Sequence, residues 1–262
     1  PERTKKILEK HKGIKGNILG ALLGTITPFC SCSSIPIFIG FVAARVPIGI
    51  TFSFLISSPL VDLASVIMIS SFFGRKVAII YVLVGIILAV IGGLVIDKLK
   101  MEKYIEEFVM NIPNIDKEDE KMTIKGRIKY SRQQVIEIIK KVWLAILIGV
   151  GIGALIHNVI PREVIEKILG NNNPFAVIIA TIIAIPMYAD IFGTLPIAEA
   201  LYLKGVGLGT ILAFMMGVTA LSFPSLVMLS KVIKPKLLWT FTGIVAVGII
   251  IIGYLFNYVI IL

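Results

Sequence analysis

Residues 27–36 read "TPFCSCSSIP" and separate two apolar pieces that are each too short to cross a bilayer, Gly16–Thr27 and Ser34–Ala44. Pro28 and Pro36 bound the segment, which contains both cysteines of the chain. Two short apolar pieces around a polar tip favour a re-entrant hairpin, which enters and leaves the membrane on the same side. Non-helical backbone at membrane depth persists only where protein buries it or where it lines a wet cavity. The tip is therefore a candidate binding site.

The composition is that of a membrane protein. Hydrophobic residues make up 57% of the 262 residues and charged residues 16%, whereas a soluble domain is about half apolar and about a quarter charged. The net charge is +10, but the basic residues cluster at the edges of the apolar runs, as the positive-inside rule predicts. This placement argues against nucleic acid as a partner. No Gly-x-x-x-x-Gly-Lys-Ser/Thr loop is present, so we expect no use of ATP.

Apolar runs and the charged gaps between them divide the chain into two similar halves. In the first half, Pro47–Phe73 is long but interrupted at Ser57-Ser58-Pro59, and Val77–Ile96 is an uninterrupted span. The second half consists of a span, two short pieces, a long run and a closing run: Val142–Ile160, Pro174–Pro186, Thr194–Leu203, Val206–Ser230 and Leu237–Leu262. The sequence therefore predicts an all-α polytopic membrane protein.

An ungapped offset of 160 residues superposes the halves, with eight identities in the 35 positions from Pro36 to Ser70. If each pair of short pieces is a re-entrant hairpin, the halves are inverted, and one face collects 21 Lys and Arg residues against 5 on the other. If each pair is one broken crossing, each face holds 13. The positive-inside rule favours the first arrangement. We therefore predict two inverted repeats, residues 1–97 and 142–262, each with a re-entrant helical hairpin and interrupted transmembrane helices.

The linker between the halves, residues 98–141, is predicted to be cytoplasmic in a multi-pass protein of the cell membrane. Apolar residues recur at helical spacing near its start: Met101, Tyr104, Ile105, Phe108 and Val109. This spacing is typical of a helix on the membrane surface, and a solvated tether with one amphipathic turn is the alternative. The repeat offset also places Pro1 on Pro161, which a span precedes. We therefore expect a further span upstream of Pro1.

Each half has two interruptions at membrane depth. The hairpin tips are Pro28–Pro36 and Pro186–Pro196, and the long runs break at Ser57-Ser58-Pro59 and at Gly217–Pro224. Paired interrupted helices in inverted repeats are the pattern of secondary transporters, whose sites lie near the bilayer midplane. The sequence therefore predicts a binding site between the two tips.

The breaks supply candidate ligands of their own. Pro59 has no N–H, which frees the carbonyl oxygen of Leu55 for a ligand. The hydroxyls of Ser58, Thr219 and Ser222 either contact the substrate or replace the missing backbone hydrogen bonds. Plain kinks without a binding role are the alternative.

The cysteine pair is the most specific feature of the first tip. Ser33 or Ser34 can cap the short helix that follows, so that its positive end points at the cysteines. A helix N-terminus lowers a thiol pKa and favours the thiolate that binds soft metals, whereas burial has the opposite effect. The sulfurs of Cys30 and Cys32 could reach one atom, which makes the pair a candidate metal or metalloid ligand. Packing is the alternative, because free cysteine is also a small buried hydrophobe.

Three carboxylates are candidates for proton or ion coupling, since carboxylates at membrane depth are costly and by default functional. Asp190 occupies the position of Cys30 at the repeat offset, Asp62 follows Pro59 by three residues, and Glu199 lies in the second short helix. A buried hydrogen bond, or for Glu199 a place near the aqueous edge, is the alternative.

The stretches "TPFCSCSSIPIFIGF" (residues 27–41) and "FSFLISSPLVDLASV" (residues 52–66) resemble the signature of the predicted permease family that includes the ArsP-type organoarsenical efflux permeases. The resemblance implies a multi-spanning permease and, for the ArsP branch, export of trivalent methylated arsenicals. It implies that Cys30 and Cys32 contact the substrate. In the second half, "PMYADIFGTLP" (residues 186–196) has Asp190 and no cysteine, so a site that needs a third sulfur could not form from these residues.

The sequence as a whole predicts a secondary transporter that exports a small thiophilic or metalloid-type substrate, as a monomer or homo-oligomer. For a transporter of this kind we also expect no cofactor and no enzymatic activity. The alternatives are a membrane-embedded thiol-redox protein that uses the cysteine pair, and a passive channel. The predicted substrate-binding residues are Cys30, Ser31, Cys32, Ser33, Ser34, Ser57, Ser58, Pro59, Tyr188, Thr194, Thr219 and Ser222. The predicted coupling residues are Asp62, Asp190 and Glu199.

Overall fold

The computed structural model describes residues 13–27, 31–61, 63–110, 132, 136, 175–187, 191–203 and 205–258. Within these ranges the regular elements are helical. They are α1 (Ile14–Ile26), α2 (Ser31–Ala43), α3 (Ile48–Leu60), α4 (Leu63–Phe73), α5 (Arg75–Lys98), a 3₁₀ turn (Met101–Tyr104), α6 (Glu107–Met110), α7 (Ala176–Ala184), α8 (Ile191–Leu203), α9 (Leu208–Ala220), α10 (Phe223–Leu229) and α11 (Pro235–Tyr258). The predicted span Val142–Ile160 lies outside the described residues.

Three helical segments in the described ranges are long and apolar enough to cross a membrane: Arg75–Lys98, Leu208–Leu229 and Pro235–Tyr258. A helix of 24 residues, such as α5, is about 36 Å long, and the hydrocarbon core is about 30 Å thick. A fourth segment, Ile48–Leu60 with Ser65–Phe73, would qualify as one broken span, bent by 45°. The prediction of an all-helical, multi-pass membrane protein is confirmed.

The break in the first long run lies later than the sequence predicts. Pro59 is inside α3, which continues to Leu60, and the amide of Val61 still donates to the carbonyl of Ser57 at 2.8 Å. A proline removes only its own N–H from the ladder, so the helix can extend past it before it ends. The second break, between α9 and α10, falls at Leu221 and Ser222, inside the predicted range.

The segments predicted as hairpin tips are partly helical. The second helix of each pair, α2 or α8, begins at Ser31 or Ile191, so that Pro36 and Pro196 lie inside helices. Ser33 and Ser34 therefore belong to the first turn of α2, and the prediction that one of them caps this helix from outside is wrong.

Helices of the first half recur in the second half at an offset of 160 residues. The bounds of α2, α3 and α5 coincide in this way with those of α8, α9 and α11. The turns before α3 and α9 also match, since Arg45 and Gly205 both have left-handed backbone, with φ of 58° and 80°. In each turn, the amides of the left-handed residue and of the residue after it donate to carbonyls of the preceding helix, as in a Schellman motif. The internal similarity therefore extends from sequence to backbone conformation.

A close crossing of glycines recurs in both halves. A Cβ built on Gly49 in α3 would lie 3.0 Å from the carbonyl oxygen of Gly93 in α5. At the equivalent positions, a Cβ on Gly209 in α9 would overlap the carbonyl oxygen of Gly253 in α11. Small residues allow membrane helices to pack backbone against backbone. Glycine pairs therefore hold α5 against α3 in the first half and α11 against α9 in the second.

The long helices α5 and α11 meet along a seam between the halves and run antiparallel. A Cβ on Gly92 would lie 3.3 Å from Ile244, and one on Gly248 would overlap Leu88, so residue numbers fall on α5 as they rise on α11. Ile105 and Ile233, which follow α5 and precede α11, form an antiparallel bridge. The end of α5 and the start of α11 therefore lie at the same end of the seam.

The start of the linker packs against protein. Met101, Ile105 and Val109 are buried in the same hydrophobic cluster as α5 and α11. The amide of Glu106 donates to the carbonyl of Val232 at 3.0 Å, and that of Lys234 to the carbonyl of Tyr104 at 2.7 Å. These three apolar side chains, which the sequence analysis assigns to the membrane surface or a tether, are covered by helices instead.

Tyr104 lies between two lysines in this segment. The ammonium nitrogens of Lys103 and Lys236 lie 5.4 Å and 5.1 Å from the centre of its ring. A hydrogen bond from Lys236, together with the positive charges of both lysines, lowers the pKa of Tyr104 from its ordinary value of 10.0. The cause is stabilisation of the phenolate by nearby cations.

We expect Lys236→Met to raise the pKa of Tyr104 toward its ordinary value, because the variant loses the hydrogen bond and one positive charge. Absorbance at 295 nm during an alkaline titration measures the ionisation, with Tyr104→Phe in each background to isolate this residue. Lys231→Met is the control, since its exposed lysine does not contact the ring. An unchanged titration in Lys236→Met would contradict the contact.

Candidate functional site

The predicted site residues divide into those that the structure describes and those that it does not. Cys30, Asp62, Tyr188 and Asp190 lie outside the described residues. The backbone of Ser31 and Cys32 belongs to α2, but their side chains also lie outside the description. The described geometry therefore comes from the hydroxyls around the two helix breaks.

A pair of buried serines joins the start of α2 to the end of α3. The Oγ atoms of Ser34 and Ser58 lie 2.7 Å apart in a hydrogen bond, and both residues are fully buried. Ser33, one residue before, is exposed. The predicted tip and the predicted break of the first half are thus brought together by one hydroxyl pair.

The neighbouring residues of the first break are held by α1. Ser57 Oγ donates to the carbonyl of Phe54 at 3.2 Å, and a Cβ on Gly24 of α1 would overlap this Oγ atom. Pro59 is partly buried beside them. Because α1 packs against Ser57 at a glycine, a larger residue at Gly24 would force α1 and the end of α3 apart.

A tyrosine that the sequence analysis did not select supports the break from α5. Tyr81 is 2% exposed, and its hydroxyl donates to the carbonyl of Leu60, the last residue of α3. Carbonyls at a helix end need partners from outside the helix. In the sequence, Tyr81 is a tyrosine inside an apolar span, and this pattern alone does not identify a site residue.

We expect Tyr81→Phe to lower the stability of the protein by about 1–3 kcal/mol, because the buried carbonyl of Leu60 loses this donor while the ring is kept. The midpoint of thermal unfolding in detergent measures the effect. Tyr258→Phe is the matched control, since Tyr258 is 68% exposed. Equal midpoints for the two variants would show that the hydroxyl of Tyr81 contributes nothing to the break.

The hydroxyls of the second break bond to their own neighbourhood. Ser222 and Ser225 are buried, and their Oγ atoms lie 2.7 Å apart. Thr219 Oγ1 donates to the carbonyls of Met215 and Met216, both at 3.1 Å. Thr219 therefore makes backbone hydrogen bonds near the break, one of the two roles that the sequence allowed. Ser225 is not among the predicted site residues, and its burial and its contact with Ser222 place it at the break.

The two breaks face each other across a small cavity of about 20 Å³. Its first-half wall is formed by Ile35, Leu55 and Pro59, and its second-half wall by Ala220, Ser225, Leu226, Leu229 and Phe241. A space of this size holds about one water molecule. The breaks of both halves thus meet at one small cavity.

Two other predicted residues lie on α8. Thr194, the counterpart of Ser34 at the repeat offset, is fully buried at the start of α8. Glu199 is exposed on α8, so the structure does not group it with the buried hydroxyls. The exposure of Glu199 fits a position near the aqueous edge better than a role as a coupling carboxylate in the site.

Two more buried polar side chains lie at the crossing of α1, α3 and α5. Asn17 and Ser53 are 2% and 0% exposed, and neither Asn17 Nδ2 nor Ser53 Oγ has a hydrogen-bond partner among the described residues. Buried polar atoms without partners are rare and need a reason, such as an unseen water or ligand. Sequence reasoning missed both, because isolated Asn and Ser residues in apolar runs carry no motif.

The described ranges contain no group of three or more His, Cys, Asp or Glu side chains that could hold a metal ion. The hydroxyl pairs bring neutral oxygen atoms together, which suits hydrogen bonding to a polar solute more than binding of a resident cation. The chemistry that the described site offers is hydrogen bonding at a place where two helices are interrupted.

Comparisons with known proteins identify a family for the chain. A family model described as "Predicted permease" (ArsP_1) matches residues 1–258. The UPF0718 protein MJ0584 of Methanocaldococcus jannaschii is 20% identical over 294 residues, which cover 90% of this chain and 80% of that protein. The UPF0718 protein YraQ of Escherichia coli is 25% identical over 242 residues, which cover 91% of this chain and 67% of that protein. No solved structure is significantly similar to the chain.

Proposed function

Because the chain belongs to the predicted permease family ArsP_1, whose model matches residues 1–258, we propose that it is a secondary transporter with its substrate site between the two halves. The observation that carries this proposal is the meeting of the two helix breaks at one cavity, lined by residues of α3 and α10. Interrupted helices near the midplane are where secondary transporters bind their substrates. Ser225 lies in the wall of this cavity, and the buried hydroxyls of Ser34, Ser58 and Ser222 belong to the same two breaks.

We propose further that the halves are inverted repeats with re-entrant hairpins. Support comes from the seam, since α5 and α11 occupy the same repeat position and run antiparallel. Two equivalent helices that cross a membrane in opposite directions are what an inverted repeat requires. The short helices α1 and α2, with 13 residues each, are about 20 Å long and do not cross the hydrocarbon core alone.

The proposed substrate is a small thiophilic or metalloid-type solute, exported from the cell. This proposal rests on Cys30 and Cys32, because soft metalloids prefer sulfur ligands. Ser31, Ser33, Thr194, Thr219 and Tyr188 are proposed to contribute to the same site. The linker is proposed to be cytoplasmic. Asp62 and Asp190 are proposed to bind and release the protons whose movement is coupled to transport. Transport would proceed by rocking of one half against the other along the seam of α5 and α11.

Uptake into everted membrane vesicles tests the proposal. Vesicles that contain the chain are expected to accumulate trivalent methylarsenite in a saturable manner, faster with an imposed proton gradient, and vesicles without the chain are not. Uptake that is neither saturable nor dependent on the gradient would indicate a passive channel. No uptake by well-folded protein would remove the arsenical substrate.

Proton coupling is tested separately with Asp62→Asn and Asp190→Asn. Loss of the gradient effect, with gradient-free exchange retained, is the expected result for a coupling carboxylate. Gradient-driven uptake that persists in the double variant would exclude both residues. Glu199→Gln is the comparison, because its exposed position predicts no effect.

A further inference from the structure

An apolar groove runs along the seam between α5 and α11. Its volume is about 430 Å³, and its walls are Val84, Ile87, Leu88 and Ile91 on one side and Gly243, Ile244, Val247, Gly248, Ile251 and Ile252 on the other. At the helical rise, these ranges correspond to a length of about 10–14 Å. A Cβ built on Gly243 would meet nothing within 4 Å. The groove is therefore open where Gly243 has no side chain.

One end of this groove leads to a cluster of lysines. Lys98 follows Ile91 by seven residues and Lys236 precedes Gly243 by seven, so each lies two turns beyond the groove on the same helix face. The antiparallel seam places both at the same end, where Lys103 and Lys236 also share the ring of Tyr104.

The wider charge balance at this end is positive. Residues 97–107 and 231–236 contain six lysines and four carboxylates: Lys98, Lys100, Lys103, Lys231, Lys234 and Lys236, against Asp97, Glu102, Glu106 and Glu107. In the part of the chain that the structure describes, neither Lys103 nor Lys236 is paired with a carboxylate. Lys103 is therefore available to an anion, and Lys236, which also bonds to Tyr104, has further N–H donors to offer.

The membrane surface passes close to this cluster. Trp239, one turn after Lys236, is 73% exposed. Exposed tryptophans of membrane helices sit at the level of the lipid headgroups. Lysines near helix ends extend toward the same level. The apolar groove thus lies at acyl-chain depth and the lysines at headgroup depth.

We propose that this groove binds one anionic phospholipid, with an acyl chain along Gly243 and Val247 and the phosphate among Lys98, Lys103 and Lys236. Basic pockets between membrane helices are suited to acidic headgroups. A second copy of the chain fits the surface less well. A symmetric dimer through this groove would bring the two lysine clusters together, and their like charges would repel. The lipid would tie α5 to α11, the helices that join the halves.

Native mass spectrometry of the delipidated full-length chain tests the proposal with phosphatidylglycerol and phosphatidylcholine of identical acyl chains. We expect phosphatidylglycerol to bind at least about tenfold more tightly. Each lysine near an acidic lipid contributes about fivefold, equivalent to about 1 kcal/mol. The variant Lys98→Gln/Lys103→Gln/Lys236→Gln is therefore expected to lose on the order of 100-fold in affinity. Arg75→Gln/Lys76→Gln, at the other end of α5, is the charge control and should bind as the unaltered chain does.

The groove is tested with Gly243→Phe, whose Cβ meets no protein atom within 4 Å and whose ring is expected to fill the groove. Gly40→Phe is the matched control, because Gly40 is also helical and a Cβ there meets nothing within 4 Å. Only Gly243→Phe should lose the lipid, while both keep their unfolding midpoints. The proposal is overturned if both phospholipids bind equally, if Gly243→Phe retains phosphatidylglycerol, or if inorganic phosphate alone displaces it. A dimer that Gly243→Phe dissociates would assign the groove to a second copy instead. None of these readouts depends on transport.

Discussion

Gly209→Leu is expected to reduce the yield of folded protein strongly. A Cβ at this position overlaps the carbonyl oxygen of Gly253 and lies 2.8 Å from the amide nitrogen of Asn257. The amide of Gly209 also donates to Asn257 Oδ1 at 2.7 Å. Backbone atoms cannot rotate away as a side chain does, so α9 would have to separate from α11. Overpacking of a core costs about 1–3 kcal/mol and occasionally more, and contact with backbone belongs at the upper end.

The measurement is the yield of monodisperse protein in size-exclusion chromatography of detergent extracts. Gly40→Leu is the matched control and should give the yield of the unaltered chain, since leucine also has the higher helix propensity by about 1 kcal/mol. Gly49→Leu, at the equivalent crossing in the first half, should fail in the same direction. Normal yield from Gly209→Leu would mean that the crossing of α9 and α11 is not this close.

Cys30→Ser/Cys32→Ser is expected to reduce methylarsenite uptake to the level of vesicles without the chain. Serine keeps the size of cysteine but replaces a soft sulfur by a hard oxygen, which a trivalent arsenical binds poorly. These are the only cysteines in the chain, so no other thiol can substitute for them. Each single variant shows whether one sulfur is enough.

Ser71→Ala is a suitable control for this experiment. Ser71 is exposed on α4, and its hydroxyl donates only to the carbonyl of Ile67 within its own helix. The unfolding midpoint of the cysteine variant must match that of the unaltered chain for its transport to be interpretable. Full uptake by a well-folded double variant would return the cysteines to a packing role.

The long spans could be predicted from the sequence because their signal is local. The apolar runs Val77–Ile96 and Leu237–Leu262 correspond to α5 and α11 within a few residues at most ends, and hydrophobicity alone carries that information. The repeat offset was also readable, since eight identities in 35 positions anticipate the matching bounds of α2 with α8 and of α3 with α9.

The partners of polar groups were not predictable in the same way. The sequence offers Ser33 or Ser34 as a helix cap, but the hydroxyl of Ser34 bonds to Ser58, 24 residues away. The pairing of Tyr81 with the carbonyl of Leu60 depends on how α5 packs against α3. Likewise, the spacing of Met101, Ile105 and Val109 indicates one apolar face, and periodicity does not distinguish a lipid surface from a protein surface.

The size of the cavity between the two breaks sets a condition on affinity. At about 20 Å³, it has room for about one water molecule and not for a methylated metalloid, so a solute that binds at this place, as proposed, would require a wider conformation. Binding must then draw on whatever fraction of molecules is open at a given moment. If that fraction is about one in a hundred, the apparent dissociation constant is about a hundredfold weaker than that of the open form. Substitutions that loosen the breaks would therefore tighten apparent binding, even though they weaken the fold.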